Sequence, residues 1–105
     1  MSSIALSAEQ VRSALQELEG WTYDGQRLTK TYTFGSFAEA IGFVVRLAFE
    51  AEKQNHHPDL RNVYNRVEIA LSTHEAGDRV TERDIRLARA IDALRPPERA
   101  LCPTC

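Results

Sequence analysis

Three capping tetrads punctuate this chain: Ser7-Ala-Glu-Gln10, Ser36-Phe-Ala-Glu39 and Thr81-Glu-Arg-Asp84. In each, a hydroxyl is placed to accept from the backbone N–H three residues on, so each marks a helix start. Apolar residues at helical spacing follow every one. They are Val11, Ala14, Leu15 and Leu18, then Ala40, Ile41, Val44, Val45, Ala48 and Phe49, then Ile85, Leu87, Ala88, Ile91 and Leu94. Gly20 ends the first helix, the second runs to about Asn55 before Pro58 closes it, and Pro96-Pro97 stops the third.

The intervals read as strands. Trp21-Thr-Tyr23 and Leu28 to Phe34 flank Asp24-Gly25, a hairpin signal because such a pair accepts the positive φ of a tight turn. Thr29, Thr31 and Thr33 alternate with Leu28, Tyr32 and Phe34, which predicts a strand with one buried face. Leu60 to Tyr64 and Val67 to Thr73 form a second hairpin turning at Asn65-Arg66, with Val67, Ile69 and Leu71 on one side. The order is α-β-β-α-β-β-α. With no strand-helix-strand parallel signature, the expected fold is α+β: a single antiparallel four-stranded sheet with three helices packed on one face. Exposed hairpin edges need cover, and in a chain this small pairing with another subunit is a common solution, so a homo-oligomer is expected.

Length and charge exclude several classes. At 105 residues the chain fits one domain, expected over residues 1–95 with a mobile tail over 96–105. A 43% hydrophobic, 27% charged composition is that of a soluble globular protein rather than a disordered or fibrous one. The net charge of −2 argues against a nucleic-acid partner, and Glu82, Asp84 and Asp92 interrupt the arginines at 83, 86, 89 and 95. No apolar run reaches membrane-spanning length, and the first residues lack the basic and apolar regions of a signal peptide. Cys102 and Cys105 form a lone CxxC with no second pair to complete a metal site, and the rest of the chain has no cysteine. A reducing, cytoplasmic compartment is the expectation.

The chemistry concentrates in Glu52-Lys-Gln-Asn-His56-His57-Pro58 and in His74, which follows the last strand. Histidine exchanges protons near neutral pH, and these are the only three in the chain. Glu52 and His56 are i and i+4, so a helix continuing that far would bring them into contact. Pro58 disfavours helical geometry at His57, which would let both imidazoles face one cavity at the helix end. His74 sits on a strand end before a glycine-containing loop, a rigid support for a functional side chain. Asp84 has a structural explanation as the capping partner of Thr81. Trp21 and Tyr64 read as core or sheet packing. Glu52, His56 and His74 also form a two-histidine, one-carboxylate set of the kind that binds iron, although no spacing joins two of the histidines on one face.

Glu52, His56-His57-Pro58, Tyr64, His74 and Asp84 together resemble the signature of the pterin-4a-carbinolamine dehydratases. Asn62-Val-Tyr-Asn-Arg66 and Leu71-Ser-Thr-His-Glu75 extend the resemblance, which spans roughly Leu6 to Leu94. The resemblance implies dehydration of 4a-hydroxytetrahydropterin to quinonoid dihydropterin, in tetrahydrobiopterin-type recycling, with no metal and no organic cofactor. It implies His56, His57 and His74 as the catalytic group, with Glu52 and Asp84 orienting or tuning them. It further implies pterin contacts from Asn55, Ser72, Thr73 and Glu75, and a homodimer or homotetramer. An alternative that comes with the family is a protein-interaction module of the dimerisation-cofactor or transcriptional-coactivator type.

Overall fold

A computed structural model describes residues 4–94. Helix α1 (Ala8–Leu15) starts at Ser7, whose hydroxyl accepts from Gln10 N while the Gln10 side chain accepts from Ser7 N. It ends earlier than the apolar spacing suggests. Gln16, Glu17 and Leu18 continue with i→i−3 bonds, a tighter winding that still buries Leu18, and Gly20 then takes a φ of 88°. Strand β1 (Thr22–Tyr23) and strand β2 (Leu28–Thr33) pair through the Asp24-Gly25 turn. Helix α2 (Phe37–Gln54) is capped by Ser36, and strands β3 (Asp59–Val63) and β4 (Arg66–Leu71) form the second hairpin. That hairpin turns at Tyr64-Asn65, one residue before the expected position, because Val63 and Arg66 pair across it and Tyr64 takes the positive φ. Helix α3 (Glu82–Leu94) follows a short 3-10 turn over His74–Ala76.

The two hairpins join in one antiparallel sheet of order β1-β2-β4-β3, because β2 and β4 pair along their whole length from Leu28↔Leu71 to Thr33↔Arg66. One face of this sheet carries Leu28, Tyr32, Val67, Ile69 and Leu71 into the core, where they meet Val11 of α1, Phe43 and Leu47 of α2, and Ile85 and Ile91 of α3. The expected α+β order and single sheet are therefore the observed ones.

The orientation of α2 differs from expectation. Its buried stripe is Ala40, Phe43, Leu47 and Ala51, whereas Ile41, Val45 and Phe49 face outward with Phe37. The helix is apolar on nearly two faces, and spacing alone does not say which of two parallel stripes meets the sheet. Tyr64, read as packing, stands 66% exposed at the hairpin turn. The tail over 96–105, with Cys102 and Cys105, lies outside the described residues.

Candidate active site

Strand register assembles the site. Leu28↔Leu71 sets the β1–β2 turn beside the residues that follow β4. Asp59↔Ala70 sets the segment that follows α2 beside the same place. Three loops thus meet at one end of the sheet and border an open cavity of about 600 Å³. Its lining is Asp24, Gln26 and Arg27 from the first turn, His57, Pro58 and Asp59 from the second segment, Ala70 and Ser72 from β4 and its end, and His74 and Asp78 from the third. The volume lies within the range typical of small-molecule sites.

The segment entering β3 is shaped by Asn55. This residue caps α2 in the left-handed conformation (φ 53°, ψ 44°), and the N–H of His56 reaches back to Ala51 O at 3.0 Å. The helix has ended before either histidine, and the chain beyond it sends their side chains to opposite sides. His57 is exposed, lines the cavity, and its Nε2 lies 2.7 Å from Glu52 Oε2. His56 is buried, with Nε2 2.6 Å from Asp84 Oδ1. It lines a different hollow of about 420 Å³ together with Lys53, Arg83 and Arg86.

Two expectations are corrected here. Glu52 contacts His57 rather than His56, because the left-handed cap rotates the chain before the i+4 position is reached. The two adjacent imidazoles do not share one cavity, because the helix end that frees them also turns them apart. Glu52, His56 and His74 do not converge, and the described residues contain no group of three or more side chains placed to hold a metal ion.

Asp84 is fully buried and its carboxylate is saturated. Oδ1 meets His56, while Oδ2 accepts from Thr73 Oγ1 at 2.8 Å and from the backbone N–H of Thr81 at 2.9 Å. The capping contact expected from sequence and the bond to His56 are made by its two oxygens together. Thr73 is likewise fully buried, with Oγ1 2.6 Å from Thr81 Oγ1, so its side chain holds Asp84 and is absent from the cavity wall. Ser72 does line the cavity. Asn55 and Glu75 do not: Arg83 donates to Asn55 O at 2.7 Å and lies 3.8 Å from Glu75, tying the two loops together from outside.

His74 is 93% exposed along its side chain and its Nδ1 lies 3.3 Å from Asp78 Oδ1. Sequence reading missed Asp78, and also missed the Asp24–Arg27 turn, because only the sheet register brings that turn to the site. Its sole local signal was the Asp-Gly pair. In that turn the N–H groups of Arg27 and Gln26 donate to Asp24 Oδ1 at 2.7 and 2.8 Å, and these bonds hold the Asp24 carboxyl below the usual carboxylate range.

The class this defines is a small α+β domain whose sheet end carries imidazole–carboxylate pairs over an open polar cavity, equipped for proton transfer. The family model for pterin 4 alpha carbinolamine dehydratase matches residues 4–94. A protein of Opitutus terrae provisionally named pterin-4-alpha-carbinolamine dehydratase is 49% identical over 89 residues, covering 85% of this chain and 92% of its own. One from Bradyrhizobium sp. with the same provisional name is 54% identical over 91 residues, covering 85% and 90%. Among solved structures, a transcriptional coactivator/pterin dehydratase from Brucella melitensis superposes with a TM-score of 0.82 at 39% identity, covering 88% of this chain and 99% of that one. A pterin dehydratase-like protein identified as a RuBisCO assembly factor in the alpha-carboxysome gives a TM-score of 0.62 at 28% identity, covering 72% and 89%. The chain belongs to the pterin-4-alpha-carbinolamine dehydratase family, a family of hydro-lyases.

Proposed function

We propose that this protein dehydrates 4a-hydroxytetrahydropterin to quinonoid dihydropterin and water by histidine general acid–base catalysis. The observation that carries this reading is that His57 and His74, brought from separate loops, line one cavity, and each has its own carboxylate partner. In the reaction the C4a–O bond breaks as the leaving hydroxyl gains a proton, the N5–H proton is removed, and the N5 electron pair forms the C4a=N5 bond. One imidazole in its protonated form supplies the first proton and a neutral one takes the second, so no net proton is consumed. Ser72 and the Asp24–Arg27 turn complete the wall against which a flat ring rests. His56 and Asp84 act behind this wall, anchoring the turn after α2 to the start of α3.

We assign the reaction to tetrahydrobiopterin-type cofactor recycling in the cytoplasm. Family membership supports the pathway. No described helix is long and apolar enough to cross a membrane, which is compatible with the location. We also propose that the chain works as a homo-oligomer, on the strength of the open β3 edge and the outward stripe of Phe37, Ile41, Val45 and Phe49 on α2. An interaction role is the second reading. The same stripe favours it, as do the coactivator and assembly-factor names of the two structural relatives. Mixing purified protein with freshly generated 4a-hydroxytetrahydropterin and following its absorbance separates the two. Catalysis predicts decay faster than the spontaneous rate in proportion to protein concentration. An unchanged decay rate would remove the enzyme reading and leave the interaction role.

A further inference from the structure

Each of the three imidazoles is held by one carboxylate, but not by the same nitrogen. His56 and His57 are held through Nε2, by Asp84 at 2.6 Å and Glu52 at 2.7 Å, which leaves each with Nδ1. His74 is held through Nδ1, by Asp78 at 3.3 Å. It is therefore the one histidine of this chain whose Nε2 is left for a bound molecule. A hydrogen bond at one ring nitrogen decides where the proton of a neutral imidazole resides, so a carboxylate at Nδ1 holds the proton there and leaves a lone pair on Nε2.

Packing does not orient the His74 ring, since its side chain is 93% exposed. The backbone of the loop places Asp78 to do so. Gly77 (φ 76°) and Asp78 (φ 59°) take the left-handed conformation in succession, and Thr73 and Arg79 pair across the loop with Thr73 N donating to Arg79 O at 2.8 Å. The chain doubles back within this loop and carries the Asp78 carboxylate to the ring of the residue four positions earlier. Both side chains line the cavity.

We propose that Asp78 is a positioning residue that fixes His74 as the Nδ1–H tautomer, so that Nε2 is the proton acceptor facing the pterin. The catalytic half of this inference rests on the dehydration reading above. The test reads the tautomer directly, by 15N chemical shifts of the His74 ring in the free protein, alongside steady-state kinetics. Asp78→Gly removes the carboxylate while accepting the positive φ, and Asp78→Asn keeps a carbonyl acceptor and also tolerates that conformation. Wild type and Asp78→Asn are expected to show protonated Nδ1 and unprotonated Nε2, and Asp78→Gly a shift of the proton to Nε2. The kcat of Asp78→Gly is expected to fall about tenfold with KM within about twofold, a fraction of what a positioned acid or base contributes, and Asp78→Asn is expected to recover most of it. An identical tautomer in wild type and Asp78→Gly overturns the proposal, even if activity falls, because the loss would then come from the loop alone. A tautomer that follows Asp78 with unchanged kcat overturns its catalytic half. The ring spectra decide the Asp78–His74 pairing even if the wild type proves inactive, so the two readings fail separately.

Discussion

At the scale of single residues, two buried or half-buried carboxylates organise this domain, and neither was fully legible in the sequence. Asp84 was visible as a capping residue, because its partner Thr81 lies three positions away. Its bonds to His56 and Thr73 span 28 and 11 residues, and no local pattern reports contacts at that separation. Asp92 read as a break in a basic helix face. In the fold it receives the Trp21 indole N–H and the Lys30 ammonium, at 3.1 and 2.9 Å, as well as the Tyr32 hydroxyl, fixing β2 and the residue before β1 to α3. Replacing Asp84 by Ala strands His56 Nε2 and Thr81 N in the interior and leaves Thr73 Oγ1 with Thr81 Oγ1 alone. The expected loss is about 2–4 kcal/mol of unfolding free energy, from buried polar groups left without partners. Urea denaturation measures it. A loss under about 0.5 kcal/mol, the range of ordinary surface substitutions, would show that water or a rearranged neighbour replaces the carboxylate.

At the scale of elements, helix starts and strand identities were legible because their signals are local: a cap, an alternation, an Asp-Gly turn. The end of α2 was placed correctly within a residue, but its consequence was not, since a left-handed Asn55 turns successive side chains apart where Pro58 alone suggested convergence. The facing of α2 was illegible for a different reason. Two stripes on one helix satisfy the same periodicity, and only the sheet chooses between them. The stripe left outside, with Phe49 72% and Val45 49% exposed, is an apolar surface that association would remove from water. Val45→Arg is expected to shift the protein from oligomer to monomer in sedimentation-velocity runs, with little change in folded content by circular dichroism. A wild type that already sediments as a monomer would contradict the self-association proposal and strengthen the case for a different partner on this face.

At the scale of the whole molecule, the site is a product of sheet register. The β2–β4 and β3–β4 pairings place three loops, separated by tens of residues in sequence, around one cavity. This explains why the histidines were recognisable from their types and positions while Asp24, Gln26 and Arg27 were not. Asp78 was hidden for a local reason, the successive left-handed residues Gly77 and Asp78 that fold its loop back onto His74. The central claim is that His57 and His74 act on the substrate from this cavity, and that His56 supports them from behind. Single-turnover decay of 4a-hydroxytetrahydropterin, compared at equal folded concentration for His56→Ala, His57→Ala and His74→Ala, tests it most directly. The expected result is a loss of about 10²-fold or more for His57→Ala and His74→Ala without loss of thermal stability. His56→Ala is expected to keep a markedly larger share of the rate while unfolding at lower temperature. Wild-type rates in His57→Ala or His74→Ala, or an equally inactive but fully stable His56→Ala, would contradict the account.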